Sequence, residues 1–214
     1  MNITTRSYRQ YCGIARALDL VGERWALLVI RELVLGPKRF TDLREGLPGV
    51  ATNVLTQRLR QLERDGIVAR RRLPPPAAST VYELTEYGRE LVPIMLDLGR
   101  WGARTMGRRT PEQALRPEWL MVALTAFFQP DEAADLSARV GLLLDGAHFT
   151  LCLDRGELKI EPGSRDSADL TLTAEPEAFV AWLAGAPVEV EASGDRELLE
   201  RLRAIFPLRA AASA

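Results

Sequence analysis

Apolar positions change period part-way along the chain. Through the first half they recur every three to four residues, and after Pro130 every two, the spacings of helices and strands respectively. Residues 11–21 predict a short amphipathic helix with Ile14, Ala17, Leu18 and Val21 on one face. A second helix is expected over 24–35. Its run from Trp25 to Ile30 is apolar nearly all round, which places it at a domain centre, and Gly36 and Pro37 end it.

The segment 40–84 carries the most information. Phe40, Leu43 and Leu47 form the core side of a short helix, followed by a turn with Gly46, Pro48 and Gly49. The next helix has Thr52 as its expected N-cap and Leu55, Leu59 and Leu62 on one stripe. At ~100° per residue the opposite face holds Asn53, Gln57, Arg60 and Arg64, with Thr56 at its edge. Two strands, 67–73 and 80–84, then predict a hairpin with Arg70, Arg71 and Arg72 beside its tip. Adjacent strand residues alternate in direction, so the three arginines cannot all face one way. Helix, glycine turn, helix and basic hairpin form the order of a winged helix-turn-helix, which presents a helix and a wing to duplex DNA. Asn and Gln match adenine edges and Arg matches guanine. The expected DNA contacts are Arg39, Thr41, Thr52, Asn53, Thr56, Gln57, Arg58 and Arg60, with Arg70, Arg71 and Arg72 on phosphate or in the minor groove. A solvated helix face and a hairpin kept soluble by charge are the plain alternatives; the order of the elements favours DNA.

Thr85 caps a long helix bearing Leu91, Ile94, Met95, Leu98, Trp101 and Met106, with a kink expected at Pro93. This stripe exceeds the needs of a small domain and predicts a homodimer, whose two-fold axis would match a palindromic site. Charge divides the same way. Residues 1–109 carry 19 basic and 11 acidic side chains, net +8, and residues 110–214 carry 9 and 18, net −9. The basic half suits a polyanion and the acidic half repels one. No apolar run reaches the ~18 residues of a membrane span, and residues 1–6 show no leader. Cys12 and Cys152 form no disulfide framework, which suggests a reducing cytoplasm. With His148 the single histidine, no metal site, catalytic set or cofactor is expected, and an enzyme is excluded.

Residues 109–117 read as a linker, so the expected domains are 1–108 and 118–214. A helix rich in large apolar groups follows, then alternating strands with Val140, Leu142, Leu144, Phe149, Leu151 and Leu153 on one face. Asp145-Gly146 and Arg155-Gly156 are the expected hairpin turns. These features predict an antiparallel sheet with one face wet and one covered by helices, about 176–183 and 197–206, with an added strand at Val188 and Val190. The fold class is α+β: a winged helix followed by a helix-covered sheet.

Six blocks, taken together, resemble the HxlR family of bacterial transcription regulators over residues 8–106: CGIARALD at 12–19, GERW at 22–25, REL at 31–33, RFTDL at 39–43, LTQRL at 55–59 and YELTEYG at 82–88. The resemblance implies a homodimeric winged-helix protein, often a repressor that responds to reactive or aromatic molecules. In some relatives an N-terminal cysteine senses oxidants or electrophiles, and Cys12 matches its position; Arg9, Arg16 and the helix start are expected to lower its pKa. Two departures stand out. Ala51-Thr52 replaces the frequent Ser-Pro, and Gly13 replaces the frequent Pro after the cysteine. Downstream, DLTLTAEP at 169–176, Phe179, WLAG at 182–185 and ASGD at 192–195 resemble the sterol-carrier-protein-like fold over 117–207. That resemblance implies a pocket for an apolar effector, with Trp119, Phe127, Phe149, Leu151, Phe179 and Trp182 as its expected lining; simple core packing is the alternative for each. The resulting expectation is a dimeric DNA-binding regulator with an apolar effector. An acidic half that only oligomerises, or a lipid carrier, are the competing readings.

Overall fold

The computed structural model describes residues 7–76, 78–107, 109–163 and 167–208. Residues 1–6, read above as free of a leader, and residue 108, the expected end of the first domain, lie outside these. The chain divides into two units, 1–95 and 96–214.

In the first unit the elements are α1 (Gly13–Val21), α2 (Ala26–Leu33), β1 (Lys38–Arg39), α3 (Phe40–Glu45), α4 (Thr52–Arg64), β2 (Val68–Arg72), β3 (Thr80–Leu84) and the first turns of α5 (Glu86–Ala103). Two apolar stripes make the core. Val29, Ile30 and Leu33 of α2 meet Leu55, Leu59 and Leu62 of α4, joined by Leu43, Leu47, Ile67, Val68 and Leu84. The strands form an antiparallel sheet in the order β1-β3-β2. Thr85 caps α5 as expected: its hydroxyl accepts the Gly88 N–H at 2.9 Å and donates to the Gly66 carbonyl at 2.6 Å. Pro93 stands inside α5 without ending it.

Two local expectations are corrected. Trp25 does not begin the second helix; it sits at the N-cap with φ 78°, a left-handed conformation rare for a bulky residue. On α1 the expected apolar face is only partly buried. Ala15 and Val21 turn inward, whereas Ile14 and Leu18 are 74% and 44% exposed.

In the second unit α6 (Pro117–Phe127) and a short 3-10 turn (Asp131–Ala133) lead into β4 (Ser137–Leu144), β5 (Ala147–Asp154) and β6 (Glu157–Pro162). Then come β7 (Leu170–Ala174), α7 (Pro176–Leu183), β8 (Glu191–Gly194) and α8 (Arg196–Ile205). Asp145-Gly146 and Arg155-Gly156 all have positive φ, the conformation that matches a two-residue hairpin turn to strand twist. Val140, Leu142, Leu144, Phe149, Leu151, Leu153, Leu170 and Leu172 are buried beneath apolar residues of α6, α7 and α8.

The sheet is mixed, which corrects the antiparallel expectation. Its order is β6-β5-β4-β7-β8, and β7 runs parallel to β4 with Val140 opposite Leu170. Hairpins set local direction, but β7 follows a crossover whose register no short turn dictates. That connection also touches the supposedly wet face: Thr150, 1% exposed, donates its hydroxyl to the Gly163 carbonyl at 3.0 Å. The strand expected at Val188 and Val190 begins instead at Glu191.

One polar cluster ties the first unit together. The Glu32 side chain is 1% exposed. It accepts Arg31 Nη2 at 2.7 Å on one oxygen and Lys38 Nζ at 2.7 Å on the other. Arg31 Nη2 also reaches the Gly46 carbonyl at 3.4 Å. A Cβ on Gly46 would stand 2.2 Å from Glu32 Oε2, so any larger residue there would push the carboxylate off its two cations. Removing Glu32 by Glu32→Ala leaves two cations short of a partner and should cost about 2–3 kcal/mol. Gly46→Ala should cost more in the native background than in Glu32→Ala, because the clash disappears with the carboxylate. Urea denaturation of the two single variants and the double variant measures this coupling; strictly additive losses would refute the packing of Glu32 against Gly46.

Candidate nucleic-acid interface

The Leu55, Leu59 and Leu62 stripe is fully buried, which turns the other side of α4 outward. Asn53, Thr56, Gln57, Arg60 and Arg64 line one open depression of about 430 Å³. Hydrogen bonds already commit some of these groups. Thr56 donates its hydroxyl to the Thr52 carbonyl at 2.8 Å, so what it offers outward is a lone pair and a methyl. Arg64 donates to Gln61 Oε1, and Gln61 Nε2 donates to Asp65 at 2.8 Å. Asn53, Gln57 and Arg60 are the exposed polar groups left on that face.

Thr52 is not the N-cap. Ala51 holds that position, its carbonyl accepting the Leu55 N–H at 3.0 Å, and Thr52 is the first helical residue, exposed. Arg58 also departs from the expected set. It lies one residue before Leu59, on the shoulder of the buried stripe. Its side chain is only 11% exposed and faces Glu23 at 3.4 Å. At the start of α3, Arg39 and Thr41 are exposed, and Asp42 caps that end by accepting the Arg39 N–H at 2.9 Å.

The wing separates its three arginines. In the β2–β3 register Arg70 faces Tyr82, Arg71 faces Val81 and Arg72 faces Thr80. Alternation therefore puts Arg71 on the opposite side from the other two. There it makes a two-point pair with Glu83: Nε to Oε1 at 2.8 Å and Nη2 to Oε2 at 3.0 Å. The Arg71 guanidinium holds the Glu83 carboxyl below its usual range, and Glu83 in turn raises Arg71. The Arg71 charge is thus internally matched, whereas Arg70 and Arg72 are exposed and form no ion pair among the described residues. Sequence reasoning missed Glu83, because its contact with Arg71 exists only in the paired register.

The expected pocket lining of the second unit is divided in exposure. Phe149, Leu151, Phe179 and Trp182 are buried, and Trp119 and Phe127 are half-buried. Phe179 and Trp182 have ring centroids 6.3 Å apart, and the Arg203 guanidinium lies 4.9 Å from the Trp182 ring centroid.

Cys12 is exposed at the N-cap of α1. The backbone N–H groups of Ala15 and Ile14 at the helix start lower the pKa of its thiol without forming a side-chain cap hydrogen bond, and Arg9 and Arg16 are not among the causes. A lowered pKa keeps a larger thiolate fraction at each pH below the ordinary thiol range. In a Cys152→Ser chain, iodoacetamide should therefore alkylate Cys12 with a half-maximal pH below that of a free thiol peptide. A half-maximal pH equal to the peptide's would show that the helix start leaves the thiol unperturbed.

A model of the HxlR-like helix-turn-helix family matches residues 20–110. The uncharacterized HTH-type transcriptional regulator YdeP of Bacillus subtilis (strain 168) is 35% identical over 108 residues, spanning 49% of this chain and 82% of YdeP. The HTH-type transcriptional regulator YodB of the same organism is 38% identical over 85 residues, 40% of this chain and 76% of YodB. The solved reduced form of YodB from B. subtilis is 34% identical, covering 45% of this chain and 95% of that one, with a TM-score of 0.40. These relatives are named as transcriptional regulators and not as enzymes. The matched segment takes in all of α2 to α5, both strands of the wing included, and on that match the chain belongs to the HxlR-like helix-turn-helix family.

Proposed function

We propose that the protein is an operator-binding repressor that acts as a homodimer and answers to an apolar effector. The observation that carries the DNA reading is the pairing of an open polar face on α4, with Asn53, Gln57 and Arg60 exposed, with a wing whose Arg70 and Arg72 form no ion pair among the described residues. In this reading α4 reads base edges in the major groove and the wing holds phosphate. The net +8 of residues 1–109 supplies long-range attraction. Arg39 and Thr41 at the start of α3 and Thr52 at the start of α4 contact the backbone beside them.

Bare apolar side chains support the dimer. Tyr11 and Ile14 near the start of α1, and Ile94, Leu98 and Trp101 along α5, are each at least 47% exposed. Burial against a second copy removes them from water. We assign residues 1–108 to DNA binding and dimerisation, 109–117 to a linker, and 118–214 to a sterol-carrier-protein-like effector domain. Helices over a half-covered sheet and the aromatic set around Phe149, Phe179 and Trp182 support that last assignment. An effector relieves repression only by preferring the arrangement that does not fit the operator. Cys12 provides a second, thiol-based input at the N-cap of α1.

Gel-shift titration over a range of salt and operator variants tests the DNA reading. Gln57→Ala and Arg60→Ala should each relax base preference by about 1–3 kcal/mol per lost bidentate contact. Arg70→Ala and Arg72→Ala should each flatten the salt slope by about 0.9. Arg71→Ala should change the slope little, and Glu83→Gln should steepen it by releasing Arg71. Equal slopes for the three arginine variants would contradict the division of the wing.

The dimer and the effector domain are tested separately. Ile94→Glu should yield a monomer by light scattering and lose operator affinity; a dimer that persists with full affinity places the interface elsewhere. Truncation after residue 108 should keep DNA binding and lose the apolar-ligand response. A truncated chain that still responds assigns the second unit to oligomerisation or lipid carriage alone.

A further inference from the structure

A groove in the first unit, on a different set of residues from the α4 face, has no part in the reading so far. Its walls come from three elements: Val34 and Pro37 just after α2, Leu84 at the end of β3, and Val92 and Pro93 on α5. Its volume is about 410 Å³, and one side is open to solvent. The walls are mainly aliphatic and proline carbon, which suits an apolar body.

Charge narrows the ligand class. Glu83 and Arg89 also line the groove. Both Glu83 oxygens are occupied by Arg71, at 2.8 and 3.0 Å, so that pair is neutral. Arg89 is exposed and forms no ion pair among the described residues, and its charge acts on Glu83 from beyond bonding distance. The groove therefore offers one surplus positive charge beside an apolar wall. A cation would meet repulsion there, and a neutral apolar molecule would leave the guanidinium unused.

We propose that this groove binds a small organic carboxylate with an apolar body. The body packs against Val34, Pro37, Val92 and Pro93, and the carboxylate pairs with Arg89, whose planar fork matches it in two-point geometry. The site touches three parts that the DNA reading uses. Leu84 and Glu83 belong to the wing strand, the end of α2 adjoins the Glu32 cluster, and α5 is the proposed dimer arm. A ligand here biases operator affinity to the extent that it prefers one arrangement of these parts; this consequence, unlike the site itself, rests on the regulator reading.

Calorimetry on the full chain with 2-naphthoate and its uncharged counterpart 2-naphthamide tests the site. Naphthoate should bind the native chain about tenfold more tightly than Arg89→Gln, as expected for a charge-assisted two-point bond. Arg89→Lys should recover part of that loss, and naphthamide should bind weakly and equally to all three chains. Methyl resonances of Val34, Leu84 and Val92 should shift on titration. Equal naphthoate affinity for the native chain and Arg89→Gln overturns the proposal, as do shifts confined to residues 118–206. Gel shifts at saturating naphthoate read the coupling: unchanged operator affinity in the native chain overturns control through the groove. A chain that binds no operator at all instead refutes the regulator reading, while calorimetry still decides the groove.

Discussion

The winged-helix unit is organised around a buried carboxylate. Glu32 projects from the last turn of α2, where burial would be prohibitive without partners. Arg31 and Lys38 supply them at 2.7 Å each, and Gly46 supplies the space. Through Lys38 the cluster reaches β1, which pairs with the central wing strand β3. Through Gly46 it reaches the turn between α3 and α4. One ionised group thus sets the helix pair against the wing sheet, and so sets where the α4 face lies relative to Arg70 and Arg72. Hydrophobic burial of the α2 and α4 stripes provides most of the cohesion, but it is non-directional; the Glu32 cluster supplies direction.

The same logic sorts the basic residues. The first half has a surplus of positive charge, yet formal charge does not equal available charge. Arg71 is matched by Glu83, Arg58 lies against Glu23, and Lys38 is held by Glu32. On the helix and wing the outward polar groups include Asn53, Gln57 and Arg60 on α4, Arg39 beside α3, and Arg70 and Arg72 on the wing. Internal ion pairs thus decide which arginines of the wing and of α4 are available to a partner.

In the second unit local and non-local signals part company. The hairpin turns at Asp145-Gly146 and Arg155-Gly156 were legible because positive φ at two consecutive residues selects Gly and its tolerant neighbours. The placement of β7 beside β4, parallel rather than antiparallel, was not. Alternating Leu170 and Leu172 specify which face is buried, and that pattern reads the same for either strand direction. Thr150 was likewise read as wet from alternation alone, whereas the crossover ending at β7 brings the Gly163 carbonyl onto it.

The sequence by itself determined the element order, the two apolar stripes of α2 and α4, the Thr85 cap, the outward set on α4 and the charge division between halves. Each follows from periodicity, propensity or composition within about a dozen neighbours. Tertiary structure alone decided that Arg71 and Arg58 are spent on carboxylates 12 and 35 residues away. It alone decided that Ala51 and not Thr52 caps α4, that Ile14 and Leu18 stay bare, and that the sheet is mixed. Those outcomes depend on which distant groups share a face, and neither the period of a helix nor that of a strand carries that information.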